Sequence, residues 1–148
     1  MQIPISPVIY KNVIDKLEVQ DSPKYQQSSS GKTFSFEFVN DVMNAYGYEL
    51  PATNLYDLFN ELLSENNPQW LPITFNDAQT RANQGYPTIS ITDKPMSTAV
   101  IYPSNNVPND VSDVDIAIAR HKCFNNTKLS NAYGLDDLQR IKFYSWFE

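Results

Sequence analysis

Cysteine, histidine and glycine are scarce in this 148-residue chain, and each shortage excludes a class of chemistry. The single cysteine, Cys123, can form no intramolecular disulfide, and with the one histidine, His121, it supplies too few ligands for a structural zinc site. The four glycines are too widely spaced for a Walker loop or a dinucleotide-binding fingerprint. The sequence therefore predicts neither a bound metal nor a cofactor.

Long apolar runs and clusters of basic residues are also missing. No apolar run exceeds a few residues, so no membrane span is predicted. The eleven lysine and arginine residues are scattered, and the net charge is −6, which argues against nucleic acid as a partner. The first residues, MQIPISPVIYKNVIDKL, contain no basic segment followed by an apolar one. We therefore expect no ordinary signal peptide, and a secreted destination would require another route.

The clearest pattern in the chain is FSFEFVNDVMNAYG, at residues 34–47. At helical spacing, one face consists of Ser35, Phe38, Val39, Val42, Met43 and Tyr46. This face is apolar except for Ser35, which lies in the first turn. Gly47 suits the residue that ends a helix. The pattern predicts an amphipathic helix on the core, with the Ser35 hydroxyl at the positive end of its dipole. A cysteine there would be strongly activated, but this chain has a serine.

The remaining segments predict helices first and strands later. Residues 1–33 form a lead-in segment and loop, and residues 34–148 form the body of a single globular domain. Helices are expected at residues 53–67, capped by Thr53 or Asn54, and at 77–84, capped by Asn76 with Gln79 three residues on. Strands are expected at 86–93, 97–103, 115–123 and 140–147, with an extended segment at 67–73 and a loop at 124–134. This order predicts an α+β fold in which N-terminal helices pack on a small antiparallel β-sheet.

His121 and Cys123 lie two residues apart on the third predicted strand and would share one face. Their backbones would be roughly 6.5–7 Å apart, whereas a nucleophile and its base need to approach to about 3 Å. We therefore favour a packed thiol beside a half-exposed imidazole over a catalytic pair. The acids of residues 110–115 lack the glycine and closing glutamate of a calcium loop.

The order of these segments resembles the NlpC/P60 and CHAP branch of papain-like cysteine peptidases and amidases, especially the small cell-wall amidases of bacteria. The family pattern C-N-x-F-V-x-D-V-x-x-x-x-G is similar to SFEFVNDVMNAYG at 35–47. A later family segment has roughly the pattern W-x-x-I-x-x-x-x-A-x-x-x-A-x-x-G-x-P-x-I-x. Its specified positions are matched by Trp70, Ile73, Ala78, Ala82, Gly85, Pro87 and Ile89. The family strand G-H-V-A-V-V lines up with MSTAVI at 96–101, and the last two strands resemble IAIARHK and IKFYSWF. The likeness covers about residues 34 to 147.

This resemblance implies a papain-like fold in which a cysteine attacks an amide of the peptidoglycan stem peptide. A histidine moves the proton, and a polar residue on the next strand orients the histidine. The matching positions hold Ser35, Ser97 and, as the candidate third residue, His121, while Met96 replaces a glycine. A hydroxyl is a poor nucleophile without an adjacent base, and Ser97 does not titrate near neutrality. The resemblance therefore implies an inactive homologue, a pseudoenzyme, that binds a stem peptide or a protein partner.

Three alternatives stay open at the level of the sequence. The first is an active cell-wall amidase or peptidase with a rebuilt Ser35–His121 site. The second is an enzyme whose cysteine was deliberately exchanged for Ser35, although the serine at 97 and the methionine at 96 would not usually accompany that change. The third is a structural or toxin-associated subunit whose cleft is filled by Met96 or Phe36.

Overall fold

A computed structural model describes residues 2–148 as an α+β arrangement of six α-helices and one six-stranded antiparallel sheet, which confirms the predicted class. The helices are α1 (Pro7–Lys16), α2 (Ser35–Tyr46), α3 (Leu55–Leu63), α4 (Phe75–Asn83), α5 (Leu129–Ala132) and α6 (Leu135–Leu138). The strands are β1 (Trp70–Ile73), β2 (Thr88–Thr92), β3 (Ser97–Ile101), β4 (Asp115–Ile118), β5 (Phe124–Lys128) and β6 (Lys142–Trp146). Their order in the sheet is β1-β6-β2-β3-β4-β5, with every neighbouring pair antiparallel. No helix in residues 2–148 has both the length and the apolar composition of a membrane span.

The two faces of the sheet are covered by different helices. Because strand side chains alternate, the registers of β2, β3 and β6 place Val100 and Trp146 on one face and Ser145 on the other. Tyr48, just past α2, packs against Trp146 with ring centroids 4.8 Å apart. Arg81 of α4 donates from Nε to Ser145 Oγ at 2.8 Å. The segment containing α2 therefore covers the first face, and α4 covers the second.

Helix α2 has the bounds and the buried face that its sequence predicts. All six residues of the predicted face are buried, and α2 packs mainly on β3. The helix ends at Gly47, whose φ of 89° lies in the left-handed region that glycine adopts at little cost. The pattern was informative because one continuous stripe of side chains had to be buried.

The lead-in segment contributes a helix to the core. Helix α1 begins after Ser6, whose Oγ accepts a hydrogen bond from the N–H of Ile9 at 3.3 Å. Tyr10 is fully buried, its ring stacks on Tyr46 at 5.1 Å, and its hydroxyl donates to the carbonyl of Ile101 at 3.2 Å. Residues 2–33 thus fold together with the rest of the domain.

The capping residues of α3 and α4 differ in how well the sequence predicted them. The predicted cap Asn76 is wrong, because α4 begins two residues earlier and Thr74 Oγ1 accepts from Asp77 N at 3.2 Å. Gln79, which was predicted to take part in that cap, is fully buried, and its Nε2 donates to the carbonyl of Tyr102 at 2.9 Å. Of the two cap candidates for α3, Asn54 is the one that caps.

The C-terminal half of the sheet differs from the prediction in two places. Strand β4 ends at Ile118, so the predicted strand 115–123 is too long and His121 lies in the following loop. Residues 124–134, predicted as a loop, contain β5 and α5. Strand β5 is an edge strand whose residues are mostly half-buried, so its sequence, FNNTK, shows no apolar alternation.

Candidate functional site

Ser35 is the first residue of α2 and rests against β3. Its side chain is almost completely buried, and its Oγ accepts a hydrogen bond from the backbone N–H of Thr98 at 3.3 Å. Phe34 precedes it without a side-chain cap. The hydroxyl therefore lies at the positive end of the helix dipole and is held by a backbone amide.

Ser97, the residue before Thr98, points the other way. Adjacent strand residues project from opposite faces, so Ser97 lies on the face that α4 covers. Its Oγ lies 2.7 Å from the hydroxyl of Tyr133, and both side chains are buried. The guanidinium of Arg120 lies 4.5 Å from the centre of the Tyr133 ring. Burial raises the pKa of Tyr133, so its phenol stays protonated at neutral pH and cannot replace an imidazole base.

His121 does not join these serines. It is exposed in the loop after β4, and its Nδ1 lies 2.9 Å from Nε2 of Gln27. Among residues 2–148 no hydrogen bond connects it to Ser35 or Cys123. Its predicted place on a strand is corrected, because β4 ends three residues earlier.

Cys123 is packed rather than presented to solvent. Its Sγ donates to the carbonyl of Tyr25 at 3.3 Å, and burial raises the pKa of the thiol. A thiol with a raised pKa carries little of the reactive thiolate at neutral pH.

A small crevice borders Ser35. Its volume is about 230 Å³, and its walls come from the start of α2 and the start of α3, including Lys32, Phe36 and Asn54. Phe36 is 7% exposed, whereas Met96 is 37% exposed. Ser97 does not line the crevice, so the structure brings Ser35 and Ser97 to the same end of β3 without joining their hydroxyls in one site.

The acids of residues 110–115 make structural contacts, and Asp115 is the first residue of β4. Asp110 accepts from Ser112 N at 3.1 Å, and Asp115 is held by Lys128 at 2.8 Å and Ser104 at 2.7 Å. Within the described chain, no three His, Cys, Asp or Glu side chains are grouped as a metal site requires.

A larger cavity, which the sequence did not predict, opens where β1 ends beside β6. It measures about 670 Å³, and its walls come from β1, β6, α6 and the loop at 109–111. Segments so far apart in the chain leave no local pattern.

No protein-family model matches this chain, and no curated protein matches its sequence.

Proposed function

We propose that this chain is a non-catalytic homologue of the papain-like NlpC/P60–CHAP amidases and that it works by binding. The observation that carries the proposal is the use of the two serines. Ser35 accepts from the backbone of Thr98, and Ser97 is paired with Tyr133. A serine nucleophile needs a base that takes its proton, and neither hydroxyl contacts one among residues 2–148.

The kinship is supported by the placement of α2 against the sheet. Ser35, at the position matching the family cysteine, lies at the helix start and contacts β3, the strand whose sequence matches the family's histidine strand. The orientation of Ser97 requires an adjustment, since Thr98 rather than Ser97 projects from the face that α2 covers. A shift of one residue along a strand exchanges the two faces, so an ancestral imidazole facing Ser35 corresponds to position 98.

The ligand we propose is a peptidoglycan stem peptide or a protein segment bound beside the start of α2. Ligand pockets usually measure about 300–1,000 Å³, and the crevice at Ser35 is about 230 Å³. It would therefore hold one side chain or terminus of a longer partner. Buried Phe36 favours a second candidate, a structural or toxin-associated subunit with a filled cleft. The rebuilt Ser35–His121 hydrolase has no such support, because His121 is exposed and bound to Gln27.

The proposal is tested first by hydrolysis. We expect the protein and its Ser35→Ala variant to release equally little product from purified peptidoglycan and from synthetic stem peptides, as measured by chromatography and mass spectrometry. Turnover that is lost in Ser35→Ala would contradict the proposal. Two double variants test the ancestry. The first combines Ser35→Cys with Thr98→His, and the second combines Ser35→Cys with Ser97→His. We expect any gained hydrolytic activity only in the first variant.

Binding is tested by cosedimentation with insoluble peptidoglycan. Thr33→Trp should fill the crevice and reduce retention, whereas Ser29→Trp, at an exposed residue outside the crevice, should not. Equal retention of both variants would exclude the crevice as the binding site, and absence of retention would favour the structural subunit.

A further inference from the structure

Arg81 of α4 lies at the opposite end of β2 from Ser35. It reaches Ser145, whose partner is the first residue of β2, whereas Ser35 contacts Thr98, whose partner is the last residue but one. A cavity of about 440 Å³ opens beside Arg81, and none of its lining residues borders the crevice at Ser35. Its volume lies within the range of small-molecule sites, about 300–1,000 Å³.

The guanidinium of Arg81 is held in one plane. Its Nε donates to Ser145 Oγ at 2.8 Å, and its Nη2 donates to the carbonyl of Trp146 at 2.7 Å. The ring centres of Tyr86 and Phe147 lie 3.9 Å and 3.7 Å from its central carbon. Two rings cannot occupy the same side at such distances, so they cover both faces of the guanidinium. An arginine held in this way has little rotamer freedom left to lose when a ligand binds.

One edge of this guanidinium has no acceptor. The side edge, formed by Nε and Nη2, is bound to β6, but the end edge, formed by Nη1 and the second hydrogen of Nη2, meets no acceptor among residues 2–148. Arg81 also forms no ion pair in that part of the chain. Burial lowers the pKa of Arg81, and interactions with Tyr86 and Asp77 act in the other direction, but a guanidinium stays protonated at neutral pH. Its two parallel N–H groups match the two oxygens of a carboxylate.

The other walls of the cavity are mainly apolar and carry one acid. Its apolar and aromatic lining, apart from the two rings that stack on Arg81, consists of Ile3, Pro4, Ile5, Tyr48 and Trp146. The acid is Glu148, which is exposed and forms no ion pair with Arg81. Because the net charge of the chain is −6, long-range attraction does not favour anions, and selection of an anion depends on direct contact with Arg81.

We propose that this cavity binds a small carboxylate with a hydrophobic body. The two carboxylate oxygens accept from Nη1 and Nη2 of Arg81, and the hydrophobic body lies against the wall formed by residues 3–5. Bidentate hydrogen bonds between charged groups are stronger than those between neutral groups, so this pairing gives the site its preference for carboxylates over neutral molecules of the same shape. The site is independent of the function proposed for the Ser35 end of the domain.

The test uses phenylacetate and its neutral counterpart phenylacetamide, titrated into the full chain and followed by calorimetry and NMR. We expect phenylacetate to bind several-fold more tightly than the amide and to shift the side-chain N–H signal of Arg81. Arg81→Lys keeps the charge but removes the pair of parallel N–H groups, so it should weaken phenylacetate binding about 3- to 20-fold. Glu148→Gln removes the acid from the wall and should strengthen it.

Two further variants leave the contacts of Arg81 with β6 intact, so they locate the site even if Arg81→Lys does not fold. Gln2→Trp, at an exposed lining residue, should block binding of both probes. Asn105→Trp makes a similar change at an exposed residue outside the cavity and should leave binding unchanged.

Several results would overturn the assignment. Failure of phenylacetate to bind at about 5 mM would exclude the site, and equal affinity for phenylacetate and phenylacetamide would show that the charge is not recognised. Undiminished phenylacetate binding in a folded Arg81→Lys variant would show that the paired N–H groups are not used. Weaker binding in Glu148→Gln would mean that the site does not select an anion. Tighter binding of inorganic phosphate than of phenylacetate would assign the site to phosphate groups instead.

Discussion

The hydroxyl groups of Ser97 and Tyr133 lie 2.7 Å apart, and both side chains are buried. Removing one of two paired buried groups leaves the other without its partner, which costs more than the bond itself contributes. Ser97 therefore makes a structural contact that couples β3 to the segment after α5.

We expect this pair to be coupled energetically. Ser97→Ala and Tyr133→Phe should each lower the free energy of unfolding by about 1–2 kcal/mol. The double variant should be less destabilised than the sum, with a coupling of about 0.5–1.5 kcal/mol. Urea unfolding of the four proteins measures it, and Tyr56→Phe, at a tyrosine that is 64% exposed, is the control with little expected effect. Additive effects would show that the two hydroxyls do not depend on each other.

At the scale of elements, the junction between α4 and β2 is built around the start of α1. Gly85 has a φ of 93°, and its carbonyl accepts from the Tyr46 hydroxyl at 2.8 Å. A Cβ at this position would lie 2.5 Å from Pro7 N and would also collide with the carbonyl carbon of Ser6. One glycine thus lets α1 and the α4–β2 connection come into direct backbone contact, and α2 contributes the tyrosine that joins them.

Gly85→Ala should be strongly destabilising, by about 2 kcal/mol or more, because it combines backbone strain with a collision against main-chain atoms. Gly134→Ala is the matched control. Gly134 has a φ of −72°, and nothing lies within 4 Å of its added Cβ. We expect the free energy of unfolding of the control to differ from that of the original chain by no more than about 1 kcal/mol in either direction. Thermal and urea unfolding compare the two, and equal stability of both variants would contradict the role assigned to Gly85.

At the scale of the whole molecule, buried tyrosines tie the helices to the sheet. Tyr10 of α1 stacks on Tyr46 of α2 and hydrogen-bonds the backbone of β3. Tyr102, which follows β3, donates to Asp15 of α1 at 2.6 Å. Burial raises the pKa of Tyr10 well above the ordinary value of a phenol. The fold is consequently stabilised by phenols that must stay protonated.

This arrangement predicts a loss of stability in alkali. The folded-state pKa of Tyr10 lies above its unfolded value of about 10, so its contribution is complete below that pH and declines as the pH rises towards the folded value. Between these two pKa values, a single such group lowers the free energy of unfolding by at most about 1.4 kcal/mol for each unit of pH. Urea unfolding between pH 8 and pH 11 should show a shallower decline for Tyr10→Phe than for the original chain. Tyr56→Phe should follow the original slope, and parallel slopes for all three proteins would contradict the assignment.

The amino-acid sequence by itself determined the elements whose local patterns demand burial of one stripe of side chains. The face of α2, its end at Gly47, the α+β order and most of the strands follow from periodicity, because a helix or strand with one apolar face has only one way to bury it. The start of α4 and the existence of β5 did not follow. Thr74 and Asn76 are both acceptable caps, and an edge strand with polar residues on both sides resembles a loop.

The tertiary structure alone decided which side chains meet. Ser35 could be placed at a helix start from the sequence, but its partner, the N–H of Thr98, depends on where α2 docks on β3. The pairing of Ser97 with Tyr133, the position of His121 outside the strand and the cavity beside Tyr144 join segments far apart in the chain. Local spacing carries no information about such encounters, because they are set by strand register and by the packing of helices on opposite faces of one sheet.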